Sequence, residues 1–176
     1  MDIFLQQIIN GLVLGSVYAL VALGYTMVYG IIQLINFAHG EVLMFGALTA
    51  WTVAGFVQPA YPDWPGWVVL IICALVACVV AALLNFTIEK VAYRPLRNSP
   101  RLAPLITAIG MSLLLQTVAM IIWKPNPKPF PSLLPSTPYE IAGAVISPTD
   151  LLILSLTAIL LVALVWVVNY TSLGRA

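Results

Sequence analysis

The sequence predicts an all-α integral membrane protein with about five transmembrane helices and an irregular or re-entrant element near residues 33–41. Composition is the first reason, because 62% of the residues are hydrophobic and 7% are charged. Soluble domains are about 45–50% apolar and about 25% charged. The mean hydropathy of +1.05 also indicates a membrane protein. The net charge of +1 is too small to indicate a nucleic-acid partner or a polybasic membrane patch.

The second reason is a long run without charge at the N-terminus. From Ile3 to Ala38 there are 36 consecutive positions with no charged residue. A helix of that length would extend roughly 54 Å, whereas the hydrocarbon core of a bilayer is about 30 Å thick. We therefore expect residues 33–41 to leave the regular helix. Irregular backbone at membrane depth is tolerated only where protein or a water-filled cavity satisfies it, so this stretch is predicted to be functional.

Five apolar segments separated by turn residues predict five spans. They are residues 7–32, 42–57, 67–88, 102–123 and 151–168. The second is short, with 16 residues, or about 24 Å as a helix. Together they predict one transmembrane domain over residues 1–176.

Basic residues predict the orientation of the spans, since cytoplasmic loops carry an excess of Lys and Arg. Four of the seven basic residues fall in the loop after the third segment: Lys90, Arg94, Arg97 and Arg101. With five crossings, that loop and the C-terminus lie in the cytoplasm and the N-terminus lies outside. Two short passes within residues 7–32 would reverse this orientation. The loop is predicted to determine topology rather than to contact a partner.

Small residues form a stripe along one face of the first segment. At steps of three and four they are Gly11, Gly15, Ala19, Ala22, Thr26 and Gly30. Such a face lets another helix approach closely, which drives association where lipid removes the hydrophobic effect between helices. We interpret the stripe as a helix-packing face, against the alternative of chance in a glycine-rich span.

Polar residues at the end of the charge-free run are candidates for a pathway through the membrane. If helical geometry continues, Gln33, Asn36 and His39 share one face, and Glu41 follows. Polar and ionisable groups at membrane depth are costly and usually face a bundle interior or a pathway. The alternative is that His39 and Glu41 simply form a helix-ending turn at the water boundary.

Tyrosines form a second stripe on the first segment, at positions 18, 25 and 29. Packing, with each hydroxyl bonded to a neighbouring carbonyl, is the simpler interpretation. A pathway role for Tyr25 and Tyr29 is the alternative.

Several catalytic patterns are missing from the sequence. It contains neither a G-x-x-x-x-G-K-[ST] phosphate-binding loop nor an H-E-x-x-H motif. A single histidine does not form an ordinary zinc site. The sequence therefore predicts neither an enzyme nor a bound cofactor or metal.

Two long motifs resemble the signature of branched-chain amino acid ABC transporter permeases of the LivH type. The first motif is residues 25–30, YTMVYG, and the second is residues 35–41, INFAHGE. The resemblance also takes in shorter stretches at residues 6–20, 89–95, 108–112 and 173–176. It thus covers nearly the whole chain.

The resemblance implies a permease subunit of an ATP-binding-cassette importer in the bacterial inner membrane. It implies alternating access to move branched-chain amino acids inward, with the N-terminus periplasmic. The implied partners are a second permease subunit, two cytoplasmic ATPase subunits and a periplasmic substrate-binding protein.

Three alternatives stay open at this point. Urea and short-chain amide ABC permeases resemble the same family, a membrane scaffold would use the small-residue stripe without transporting, and a carrier could be ion-coupled. Family members also continue beyond Gly174, Arg175 and Ala176, into an ATPase-coupling segment and later helices. Residues 1–176 are accordingly expected to be the N-terminal part of a permease.

Overall fold

The computed structural model describes residues 2–32, 37–96, 99–100, 102–134, 137–141 and 144–170. It does not describe the side chains at 2, 28–32, 140, 141, 144 and 167–169. Within these ranges five helices are long and apolar enough to cross a membrane, so the predicted all-α membrane class is confirmed. The helices are α1 (Asp2–Ile32), α2 (His39–Ala60), α3 (Gly66–Ile88), α4 (Leu102–Trp123) and α5 (Pro148–Tyr170).

The irregular element is narrower at its downstream end than the sequence suggests. Helix α1 is continuous to Ile32, rather than two short passes, and Phe37 and Ala38 form a turn. Helix α2 already begins at His39 and contains 22 residues, about 33 Å. The expectation of a short second span is therefore wrong, because His39 and Glu41, which the sequence analysis placed before the span, lie in its first turn.

Contacts divide the chain into two compact units, residues 25–133 and residues 1–24 with 134–176. In the first of these, α2 and α3 pack against each other through small residues. Ala54 is fully buried beside Val69 and Cys73, and a Cβ added at Gly46 would lie 3.9 Å from that of Ala81. Small side chains allow this close approach of two membrane helices.

Helix α3 does not end as a simple α-helix. It continues through a π-helical turn, Glu89–Tyr93, into the 3-10 turn Arg94–Leu96. A second cluster of buried side chains forms here, where the π-helical turn meets α2 and α4. Its members are Ala38, Val42, Phe45, Ile88, Ala92, Leu115 and Ala119.

Threonine hydroxyls inside the spans are satisfied locally. Five of them donate to the carbonyl four residues earlier, as Thr49 does to Phe45 at 2.7 Å and Thr107 to Ala103 at 2.9 Å. Such bonds remove the cost of an unpaired hydroxyl away from water. Buried Thr157 in α5 differs, because its Oγ1 has no hydrogen-bond partner among the described residues.

The other unit contains a short antiparallel ribbon that the sequence analysis did not predict. Strands β1 (Tyr139–Ile141) and β2 (Ala144–Ile146) pair from Tyr139 opposite Ile146. Gln6 of α1 makes two hydrogen bonds to the backbone of Val145 in β2. Gln6 Nε2 donates to the Val145 carbonyl at 3.0 Å, and Val145 N–H donates to Gln6 Oε1 at 2.8 Å. The side-chain amide thus imitates a neighbouring strand.

Helix α5 starts with a reciprocal cap. Ser147 N–H donates to Asp150 Oδ2 at 3.0 Å, and Asp150 N–H donates to Ser147 Oγ at 3.1 Å. Pro148 occupies the first helical position, where its missing N–H costs nothing. The fifth span therefore begins three residues earlier than its apolar pattern indicates.

Candidate functional site

A carboxylate on α2 is held by two side chains from α4. Glu41 Oε1 accepts a hydrogen bond from Ser112 Oγ at 2.9 Å and another from Gln116 Nε2 at 2.7 Å. Hydrogen bonds to an ionised acceptor are stronger than those between neutral groups. We call Glu41, Ser112 and Gln116 the carboxylate clasp.

The carboxylate clasp lies near the middle of α4. Ser112 is ten residues after Leu102, and Gln116 is seven residues before Trp123; at about 1.5 Å per residue, both lie more than about 10 Å from either helix end. Glu41 and the first turn of α2 therefore lie beside the central part of α4, a helix that is long and apolar enough to span a membrane.

The first turn of α2 suits a negative charge. The unpaired N–H groups at a helix N-terminus carry partial positive charge, which stabilises an acidic side chain in that turn. Ala38, just before the helix, is fully buried and accepts a hydrogen bond from Val42 N–H at 3.1 Å. The start of α2 is thus fixed by packing on one side and by the carboxylate clasp on the other.

Tyr25 of α1 also contacts the first turn of α2. Its ring lies edge-on to the His39 ring, with centroids 4.7 Å apart and an interplanar angle of 61°. A Cβ added at Gly40 would lie 3.5 Å from Tyr25 Oη. Tyr25, His39 and Glu41, three of the predicted pathway residues, therefore meet at the beginning of α2.

The remaining pathway predictions are only partly located. Tyr29 lies in α1, but its side chain is not described; Gln33 and Asn36 fall outside the described residues. A turn at Phe37 and Ala38 precedes His39, so His39 starts a new helix. A role in a pathway stays a prediction for all six residues.

The small-residue stripe stays a prediction too. A Cβ added at Gly11 or Gly15 would meet no other described atom within 4 Å, and none of the residues in the α1 span Ile3–Met27 is buried. Ala19 is half-buried, Ala22 and Thr26 are exposed, and the surroundings of Gly30 are not described. In the described part of the chain, this face is open.

Of the four basic residues predicted to lie in the cytoplasm, the structure describes two. Lys90 lies in the π-helical turn, with Nζ 5.9 Å from the centre of the Phe86 ring, and Arg94 begins the 3-10 turn. Arg97 and Arg101 fall outside the described residues. Among the residues that the structure describes, no three His, Cys, Asp or Glu side chains are placed to hold a metal ion.

Sequence reasoning did not assign Ser112 and Gln116 to the site. The available signal was their spacing: they are polar residues four apart within an apolar helix, on the face that also buries Ala108, Leu115 and Ala119. Two polar residues four apart in an apolar helix predict a polar partner, although only Ser112 is partly buried and Gln116 is exposed. Glu41 is that partner.

Comparison with known proteins identifies the family. A family model described as "Branched-chain amino acid transport system / permease component" matches residues 7–176. The chain is 42% identical over 177 aligned residues to the high-affinity branched-chain amino acid transport system permease protein BraD of Pseudomonas aeruginosa. It is 41% identical to the corresponding protein LivH of Escherichia coli K12 and 40% identical to LivH of Salmonella typhimurium.

Each of these alignments covers 98% of the chain and 57% of the relative. The chain therefore spans somewhat more than half the length of these relatives. No solved structure gives a significant match. A match over almost all of its residues shows that the chain belongs to the family of branched-chain amino acid transport system permease components.

Proposed function

We propose that the chain forms part of the membrane pathway of an ATP-driven importer of branched-chain amino acids. The observation that carries this proposal is the 40–42% identity over 98% of the chain to high-affinity branched-chain amino acid permease proteins. No described feature favours urea or short amides as cargo, or a scaffold without transport. The proposed subunit is a permease and not an enzyme.

We assign the pathway to the beginning of α2 and the chain that precedes it. Glu41 supplies an acceptor inside a span, and His39 and Tyr25 lie beside it. Tyr29, Gln33 and Asn36 complete the proposed set. A zwitterionic amino acid needs polar groups that replace its hydration shell inside the membrane, and an interrupted helix near the bilayer midplane is a common way for transporters to provide them.

The proposed location is the bacterial inner membrane, with the N-terminus periplasmic and the C-terminus cytoplasmic. The support is the cluster of basic residues Lys90, Arg94, Arg97 and Arg101, since basic loops are retained in the cytoplasm. In this orientation Lys124 and Lys128 face the periplasm.

The proposed assembly contains a second permease subunit, two cytoplasmic ATPase subunits and a periplasmic substrate-binding protein. Residues 1–176 act in it as a single transmembrane permease domain. The small-residue stripe from Gly11 to Gly30 is expected to pack against another helix. ATP hydrolysis belongs to the partner subunits, because the chain contains no phosphate-binding loop.

Uptake into proteoliposomes tests the proposal. The permease that contains this chain is reconstituted with its second permease and ATPases, and the binding protein and labelled leucine or urea are added. We expect ATP-dependent uptake of leucine and none of urea. Glu41→Gln should reduce uptake at least tenfold, whereas the matched change Asp63→Asn, in the exposed loop between α2 and α3, should not. Uptake of urea in preference to leucine, or no ATP-dependent uptake, would contradict the proposal.

A further inference from the structure

A second feature lies on the same two helices as the carboxylate clasp. Between α2, the C-terminal end of α4 and the loop that follows α4 there is a cavity of about 400 Å³. Small-molecule sites in proteins are typically about 300–1,000 Å³ and mostly apolar. The apolar wall of this cavity consists of Met44, Leu48, Ala119, Met120 and Trp123.

The polar groups of the cavity are arranged at two ends. Lys124, Asn126 and Lys128 come from the loop after α4, whereas Gln116 lines the cavity further along α4. Gln116 Nε2 is used by Glu41, which leaves the amide oxygen as an acceptor. No acidic residue is among the described residues that line the cavity, so the two ammonium groups are not neutralised within it.

The loop that carries the lysines is fastened to α2. Trp51 Nε1 donates to the Pro129 carbonyl at 3.0 Å, and Lys128 Nζ lies 4.6 Å from the centre of the Trp51 ring. On the opposite wall, Trp123 Nε1 donates to Thr52 Oγ1 at 2.8 Å. These contacts attach the loop after α4, and the Trp123 ring that lines the cavity, to α2.

Lys124 ends α4 in the left-handed conformation, with φ of 62°. Its N–H donates to the Met120 carbonyl at 3.0 Å, and Pro125 prevents the helix from continuing. Glycine or asparagine adopts this conformation more easily than lysine does. The position thus places an ammonium group at the cavity at some conformational cost.

We propose that this cavity binds an aliphatic amino acid in its zwitterionic form, as an entry site above the carboxylate clasp. The carboxylate of the ligand faces Lys124 and Lys128, and its branched side chain packs on Leu48 and Trp123. The inference rests on the proposed function, because it names a binding site for that cargo.

Equilibrium binding to the assembled transporter tests the cavity directly. The complete complex, in nanodiscs of phosphatidylcholine and without ATP or binding protein, is titrated with labelled leucine and with leucinamide, which has no carboxylate. We expect Lys124→Gln combined with Lys128→Gln to weaken leucine binding about a hundredfold, about tenfold for each charge-assisted hydrogen bond that is lost. Leucinamide, which carries only a positive charge, should not bind more weakly and should gain affinity when the two lysine charges are removed.

Two further variants make the result interpretable. Lys90→Gln removes the same charge in the π-helical turn, away from the cavity, and should leave leucine binding unchanged. Lys124→Asn also removes the charge, but asparagine accepts the left-handed conformation, so it replaces the glutamine variant if that one fails to fold. Both must retain the thermal stability of the parent complex.

The outcomes separate the two proposals. Unchanged leucine affinity in the double variant, or equal losses for leucine and leucinamide, overturns the cavity assignment while ATP-driven leucine uptake leaves the proposed function intact. Displacement of leucine by phosphatidylglycerol added to the nanodiscs, without any effect of the lysine changes on leucine, marks a lipid site and also overturns the assignment. Absence of leucine uptake by the parent transporter overturns the proposed function itself.

Discussion

The contact between α2 and α4 differs sharply from the small-residue face of α1. The first is packed at two points, where the carboxylate clasp joins the helices and where Phe45 packs edge-on against Trp123 with ring centroids 5.6 Å apart. The second is open, since nothing described lies within 4 Å of a Cβ placed at Gly11 or Gly15. In lipid, helices associate through close packing and polar contacts rather than hydrophobicity. A face with only small residues therefore depends on a partner of complementary shape.

The largest expected effect concerns the close approach between Gly66 and the loop after α4. A Cβ at Gly66 would overlap the backbone carbonyl of Leu133, and backbone cannot yield as a side chain can. Gly66→Ala should lower the stability of the unit formed by residues 25–133 by about 2 kcal/mol, measured as thermal unfolding in detergent by circular dichroism. The control Gly55→Ala, where nothing lies within 4 Å, should be neutral or stabilising by up to about 1 kcal/mol. Equal effects of the two changes would show that the loop is not in contact with α3.

The next effect tests the carboxylate clasp. Gln116→Leu removes the shorter hydrogen bond to Glu41 and should cost about 2 kcal/mol of stability, because it leaves a carboxylate oxygen with one donor fewer. Gln58→Leu, an exposed position on α2, is the control. In a Glu41→Leu background the Gln116→Leu change should cost nothing further, so a double-mutant cycle measures the coupling. Additive losses would mean that the two residues do not interact.

A smaller effect is expected where α1 does have a polar contact. Gln6→Leu removes both hydrogen bonds to Val145 and should weaken the β1–β2 ribbon by about 1 kcal/mol, the usual net value for exposed neutral bonds. Hydrogen exchange at the Val145 amide should become faster by roughly fivefold, since 1.4 kcal/mol corresponds to tenfold. Gln7→Leu, on the exposed neighbouring position, should leave the exchange rate unchanged. If the Val145 amide stays protected from exchange in Gln6→Leu, its protection comes from the β1–β2 ribbon and not from Gln6.

The smallest effect on stability is expected on the open face itself. Gly15→Leu should change thermal stability in detergent by no more than about 0.5 kcal/mol, since surface changes usually lie within that range. If the stripe packs against the proposed second permease, the same change should reduce co-purification of that subunit. Val17→Leu, about 200° around the helix, serves as the control. A large loss of stability in Gly15→Leu would show that the face is already occupied within the chain.

The number of spans and the ends of α4 could be predicted because hydropathy over about 20 residues determines them. The start of α2 could not be predicted. In the sequence, His39 and Glu41 resemble residues at a membrane–water boundary, and only the structure shows that Ser112 and Gln116 of α4 contact Glu41. Such a pairing depends on how two helices align, which a linear pattern does not encode. The ribbon was missed for another reason: three-residue strands are too short for an alternating pattern, and Gln6, which stabilises them, is more than 130 positions away.

The π-helical turn at the end of α3 has a consequence for comparing this chain with its relatives. Its hydrogen bond runs from Arg94 N–H to the Glu89 carbonyl, so the turn accommodates one residue more than an α-helix would over the same rise. Deleting a single residue between Glu89 and Tyr93 would convert it to ordinary helix, while the chain on either side keeps its direction, because the π-helical turn already absorbs the extra residue. A one-residue alignment gap at this point therefore marks a relative without the π-helical turn, in which Arg94 still corresponds to the residue after the gap and the length of the span is unchanged.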